Sequence, residues 1–182
     1  MALLESLSLP LGSDLIPFSL PDPDGNQHDS SDYKDRKALV VIFMCNHCPY
    51  IKAIQERLIA LQANYENSKV QLIGINSNDA AEYPEDSPEM MKTTIKEWGI
   101  NFPYLIDEDQ AVGKAYQAQC TPDIYVFDEN QKLAYHGRVD DNWKEPENVT
   151  KEELKEAIDA LLNSETPSSE QHPSIGCSIK WK

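Results

Sequence analysis

Cys45-Asn46-His47-Cys48 sets two thiols three positions apart with a histidine between them, and Pro49 follows directly. The chemistry open to such a pair is thiol-disulfide exchange. Thiolate is the nucleophile, and a free cysteine with a pKa of about 8.5 is mostly thiol at neutral pH, so the surroundings must favour the anion. A helix N-terminus does this through unpaired N-H donors and positive potential. Cys45, just ahead of an expected helix, is the expected attacking thiolate, and a protonated His47 adds to its stabilisation. Cys48 is the expected resolving thiol, at a spacing that permits an unstrained disulfide. Pro49 has no N-H to lose in a first turn but biases Cys48 away from helical dihedrals, so the helix is expected to begin at or right after it.

These groups need an apolar strand before them and a helix behind. The run Ala38 to Met44 is short, β-branched and aromatic, as suits a strand covered on both faces. Ile51, Ile54, Leu58, Leu61 and Tyr65 then recur at helical spacing, which predicts a helix over roughly 49–65. Val70 to Asn76 reads as a second buried strand, parallel to the first through the intervening helix. Upstream, the turn signals in Pro21-Asp22-Pro23-Asp24-Gly25-Asn26 predict a hairpin within residues 14–28.

Downstream, Ser87-Pro88 marks a helix start and Gly99 its stop. A short strand is expected near 102–106 and a short helix near 110–117. Ile124 to Asp128 and Lys132 to His136 read as an antiparallel hairpin. Thr150 to Glu153 has the pattern of a capping box opening a last helix. Residues 163–173 are rich in Ser, Glu, Thr, Pro and Gln and are expected to stay unordered. The chain nonetheless finishes in a segment carrying Ile175, Cys177, Ile179 and Trp181. The expected organisation is an N-terminal segment 1–13, a domain 14–163 and a tail 164–182.

The 182 residues suffice for a core without disulfide staples, and four cysteines are too few for a disulfide scaffold. No positively charged leader or spanning segment is read near Met1, so a cytoplasmic location is expected. The formal charge of −15 disfavours nucleic acid and anionic membrane as partners. Zinc would need ligands from Cys120, Cys177 or a histidine at irregular separations, and no metal is expected. No Gly-rich phosphate loop is present, and no organic cofactor is expected.

Taken together, Cys45 to Cys48 after a buried strand, a βαβ unit, Thr121-Pro122 directly before a strand, a hairpin and a terminal helix resemble the thioredoxin-like superfamily. The N-terminal hairpin, Cys120-Thr121-Pro122-Asp123 and Gly176-Cys177-Ser178-Ile179-Lys180-Trp181 look closer to peroxiredoxin-like redoxins of the alkyl hydroperoxide reductase/thiol-specific antioxidant group, those carrying a Cys-x-x-Cys. The resemblance implies an α/β thioredoxin-like fold with an N-terminal β-hairpin extension and a central mixed sheet flanked by helices. It also implies a cis Pro122 against the cysteine pair, and a Thr121 whose backbone receives a substrate strand. Two positions depart from the pattern. Leu39 stands where thioredoxins carry a buried carboxylate, leaving His47, water or a more distant acid to take the proton. Peroxiredoxins carry Pro-x-x-x-Thr-x-x-Cys with a distant arginine, and aligning Cys48 with that cysteine puts Cys45 and Val41 in place of the threonine and proline.

The reading is therefore a dithiol-disulfide oxidoreductase acting on protein or small-molecule disulfides, with a thioredoxin or glutathione system as electron donor. The alternatives are a thiol peroxidase and a redox sensor whose tail docks. Cys120 is either a buried structural thiol or an additional redox thiol. Cys177 is either inert or, if Ile179 and Trp181 anchor the tail, a third redox thiol presented to Cys45 or Cys120. Arg138, Asp140 and Asp141 read as surface charges, and Trp98 and Trp143 as packing residues.

Overall fold

The computed structural model describes residues 3–7 and 9–182; Met1, Ala2 and Ser8 of the expected N-terminal segment lie outside the described residues. The strands in chain order are β1 (Leu3–Glu5), β2 (Ser19–Pro21), β3 (Gln27–Asp29), β4 (Ala38–Phe43) and β5 (Val70–Asn76). They continue with β6 (Tyr104–Ile106), β7 (Cys120–Thr121), β8 (Asp123–Asp128), β9 (Leu133–Gly137) and β10 (Ile175–Ser178). The helices are α1 (Pro49–Asn64), α2 (Pro88–Trp98), α3 (Ala111–Ala115) and α4 (Glu153–Leu162).

The central sheet has the order β6-β5-β4-β8-β9. Both β5 on β4 and β6 on β5 are parallel, whereas β8 and β9 join antiparallel, so the sheet is mixed as expected. Every residue of β4 is buried, and its pleat divides them between two cores. Ala38, Val40, Ile42 and Met44 pack with Ile51, Ile54 and Leu58 of α1 and with Leu154 and Ile158 of α4. Leu39, Val41 and Phe43 pack on the other face with Ile73, Ile75, Tyr116 and Tyr125. Each fully buried side chain of this size stabilises the fold by about 1.5–3 kcal/mol. Leu39 is thus committed to packing on that face.

Local signals hold at most element ends. The Asp22 carboxylate accepts the N-H groups of Asp24 and Asn26, both at 2.9 Å, and closes the β2-β3 hairpin. Ser87 caps α2 by accepting from the Met90 N-H at 3.4 Å, and Gly99 ends it at φ +70°. No described helix is long and apolar enough to cross a membrane.

Three expectations are corrected. The Thr150 capping box does not form: α4 starts at Glu153 behind Glu152, while the Thr150 hydroxyl and N-H are drawn to Asp141. Residues beyond 163 are ordered along the β9 edge, whose free backbone groups they satisfy. Gln171 accepts the His136 N-H at 2.9 Å and donates to the Ala134 carbonyl at 3.1 Å, and the Arg138 N-H donates to the His172 carbonyl at 3.0 Å. Arg138 and Asp140 are paired and not free surface charges, the first with Glu153 and the second, 4 % exposed, with Arg57. The tail ends as β10, the middle strand of an antiparallel β1-β10-β7 sheet.

Candidate active site

Strand β4 hands its last backbone bond, Met44 N-H to the Ile75 carbonyl at 2.9 Å, to the strand β5 beside it, and the chain then turns through Cys45. Helix α1 starts at Pro49, so the N-cap is Cys48, in extended conformation at φ −68° and ψ 123°. Its carbonyl already accepts the first helical bond, from the Lys52 N-H at 3.0 Å. The helix-end stabilisation expected at Cys45 therefore falls on Cys48.

All four thiols are buried and free. Cys48 is pulled well below the ordinary thiol range by the donated Cys45 thiol, against its own burial, with further help from Thr121, the Cys177 thiol and the Ile51 N-H at the helix start. Cys45 is pushed up for the complementary reason, since it donates to Cys48, is desolvated and faces the Asp86 charge. The Thr121 hydroxyl, 3.4 Å from Cys45 Sγ, favours the anion. When protonated, the Cys48 thiol donates to the Thr121 carbonyl at 3.1 Å, a contact that opposes its ionisation, and its Sγ lies 3.1 Å from Cys177 Sγ.

His47 is fixed by an acid that sequence reasoning did not single out. Its Nδ1 bonds Asp86 Oδ2 at 2.7 Å, and its ring stacks on Tyr83 at 5.7 Å with 9° between planes. Asp86 also accepts the Asn46 N-H and the Asn78 side-chain amide, each at 2.7 Å. Burial alone would raise the Asp86 carboxyl, but the bonds from His47, Asn78 and Asn46 outweigh it and hold it low. His47 in turn is raised, chiefly by its bond to Asp86, against its own desolvation. A signal for Asp86 existed. The loop after β5 leaves the sheet at the same end as the loop after β4, the carboxyl end at which parallel strands deliver functional groups.

The Thr121-Pro122 bond is cis, as the resemblance implied, and both residues stand beside the cysteine pair. Cys120 turns its thiol to the Pro122 carbonyl at 3.3 Å, and burial pushes it far up. Cys177 is brought in by the tail, but it meets Cys48 and not Cys45 or Cys120. A cleft lined by Tyr50, Pro122, Asp141, Trp143 and Ile175 opens alongside, with Trp143 packed on Tyr50 at 4.3 Å between ring centroids. Ligating atoms of Cys45, His47 and Asp86 lie within 4.8 Å of one another and form the group among the described residues that could hold a metal ion. The Asp86 carboxylate there is already taken up by three donors.

The Redoxin family model matches residues 10–157. A thiol-disulfide oxidoreductase ResA from Geobacillus kaustophilus is 25% identical over 129 residues, 71% of this chain and 70% of that protein. Among solved structures, an uncharacterized conserved protein from Geobacillus kaustophilus is 48% identical with a TM-score of 0.94, covering 100% of this chain and 97% of that one. The thioredoxin domain of a thiol-disulfide oxidoreductase from Bacteroides vulgatus shares the fold at a TM-score of 0.61 and 19% identity, covering 71% of this chain and 89% of that one.

Proposed function

The chain belongs to the Redoxin family, and on that premise we propose that it is a thiol-disulfide oxidoreductase that reduces or exchanges protein or small-molecule disulfides through Cys45 and Cys48. The observation that carries this reading is the placement of Cys48 at the N-cap of α1, where the Cys45 thiol and the Ile51 N-H both support its thiolate. In this proposal the two roles are exchanged relative to the sequence expectation: Cys48 attacks and Cys45 resolves.

Cys48 Sγ bonds to one sulfur of the substrate disulfide, the substrate S-S bond breaks, and the other sulfur leaves as a thiolate that takes a proton from His47. His47, left neutral and oriented through Nδ1 by Asp86, then accepts the Cys45 proton at Nε2. Cys45 attacks Cys48 Sγ, the mixed disulfide breaks, and the second substrate sulfur departs and is protonated. Two electrons have passed from the cysteine pair to the substrate, and a dithiol of the thioredoxin or glutathione systems restores the pair. The cleft along Tyr50, Pro122 and Trp143 would receive the apolar flank of the substrate. The expected setting is a reducing, cytoplasmic one, which keeps the pair as dithiol.

Peroxiredoxins use an arginine to polarise the peroxide bond. The three arginines are engaged elsewhere, Arg36 with Asp35, Arg57 with Asp140 and Arg138 with Glu153, which favours the disulfide reading. The test is reduction of a model protein disulfide by the wild type, Cys45→Ser and Cys48→Ser. Cys45→Ser should accumulate mixed disulfides on Cys48, and Cys48→Ser should be inactive. Wild-type rates in both variants would end this reading, and stopped-flow oxidation by hydrogen peroxide far faster than that of an ordinary thiol would replace it with the peroxidase one.

A further inference from the structure

Cys48 has a second thiol partner that the exchange reaction above leaves unused. Strand β10 lies antiparallel on β7 with Cys177 opposite Thr121 and Ser178 opposite Cys120, which sets Cys177 Sγ 3.1 Å from Cys48 Sγ. The seat is built for this strand. Gly176 passes so close to the Thr121 carbonyl that a Cβ there would lie 2.0 Å from the oxygen, so a glycine is required. On the far edge β1 pairs with β10, and below it Ile179, 4 % exposed, is packed into the second core while the Ile179 N-H bonds the Gln119 carbonyl at 3.1 Å.

We propose that Cys177 is a third redox thiol and that β10 is a substrate strand carried by the chain itself, exchanging a disulfide with Cys48. This rests on the Cys45/Cys48 reading for its entry point. When Cys45-Cys48 has formed, Cys177 loses its proton and attacks Cys48 Sγ; the Cys45-Cys48 bond breaks, Cys48-Cys177 forms, and Cys45 leaves as a thiolate that takes up a proton. No electrons leave the protein in this step. The oxidising equivalent moves from the helix start to the tail, and β10 becomes covalently pinned over Thr121. In the dithiol state Cys177 is raised to about 12, first by burial and then by its bond to Cys48 and the Cys48 charge. Oxidation of Cys48 removes the latter two causes, so the tail thiol gains nucleophilicity at the step that uses it.

The experiment is disulfide mapping by mass spectrometry on acid-quenched, full-length protein after treatment with oxidised glutathione. In Cys45→Ser, Cys48 attacks glutathione disulfide and Cys177 then displaces glutathione from it, so an intramolecular Cys48-Cys177 bond is expected. Persistent glutathionylated Cys48 beside a free Cys177 overturns the proposal. Gly176→Val keeps every thiol but unseats β10; it should still form Cys45-Cys48, while Cys48-Cys177 forms about tenfold more slowly or worse as the effective concentration of the tail thiol falls. A rate equal to wild type overturns the role of the seat. Should Cys45→Ser not fold, time-resolved mapping of the wild type decides: Cys48-Cys177 must appear after Cys45-Cys48, and its absence overturns the proposal. Failure of the oxidoreductase reading shows separately, as wild-type protein that neither reduces a model disulfide nor forms Cys45-Cys48.

Discussion

Asp86 Oδ2 holds His47 Nδ1 at 2.7 Å, with the carboxylate side chain wholly buried and the imidazole 16 % exposed. The acid that this chain lacks at Leu39 is thereby supplied from the loop before α2, through the histidine inside the Cys-x-x-Cys motif. Asp86 also ties down the Asn46 N-H, so one side chain orders both residues between the cysteines.

The first prediction concerns this pair and pH. His47 is raised above its ordinary 6.5, so its contribution to stability is fully present below that value and is lost as pH rises through the higher folded value. Asp86 is lowered below 3.8, so its contribution is present above that value and is lost as pH falls through the lower folded one. Asp86→Asn should bring the His47 titration, followed by NMR of the ring, down towards the ordinary histidine range. It should also slow resolution of a mixed disulfide. An unmoved His47 titration would refute the coupling.

A second prediction separates the thiols. Alkylation at mildly acid pH should modify Cys48 ahead of Cys45 once the tail is unseated by Gly176→Val. Cys45→Ala should raise the Cys48 titration, because the largest single support of the Cys48 thiolate is the Cys45 thiol. Ultraviolet thiolate absorbance against pH measures both effects, and preferential labelling of Cys45 would reverse the assignment.

Thr121 offers a third. Its hydroxyl, 3.4 Å from Cys45 Sγ, favours the Cys45 anion. Thr121→Val keeps the side-chain shape and the β10 pairing but removes that donor. Because the same side chain also supports the Cys48 thiolate, loss of hydrogen bonding worth about 0.5–1.5 kcal/mol predicts a several-fold slowing of both the initial attack by Cys48 and the release of substrate from it. Wild-type rates for both steps would remove the Thr121 hydroxyl from this role.

The tail supplies a fourth. Ile179→Ala empties a side-chain volume in the second core, where an isoleucine truncation costs about 2–5 kcal/mol. Because Ile179 lies one residue beyond β10, the loss should appear first as faster amide exchange across residues 174–180, ahead of the central sheet. Exchange that rises uniformly over the protein would show that the tail has no separate opening.

Along the sequence itself, periodicity and local chemistry determined the parts of the site whose partners are close in the chain. The apolar run of β4, the stripe of α1, Pro49 at the first helical turn, Ser87 before α2 and the Asp22 turn each depend on neighbours within a few residues, and each formed. The capping box at Thr150 failed because Asp141, nine positions away, competes for the same hydroxyl. The order of residues 163–173 also went unread, since composition records what a segment can bury but not that the β9 edge has backbone groups left to satisfy.

The sequence by itself thus settled that a strand presents two thiols at a helix start. Which thiol carries the charge, which acid holds His47 and where Cys177 lies were decided by tertiary structure. Those contacts join residues 39 and 129 positions apart, and the helix began one residue after Cys48, which made Cys48 the cap. Spacing along the chain fixes what a short segment can become, whereas acidity is set by whatever groups the fold packs within a few ångströms of the sulfur, and those come from loops and a tail that carry no periodic signal.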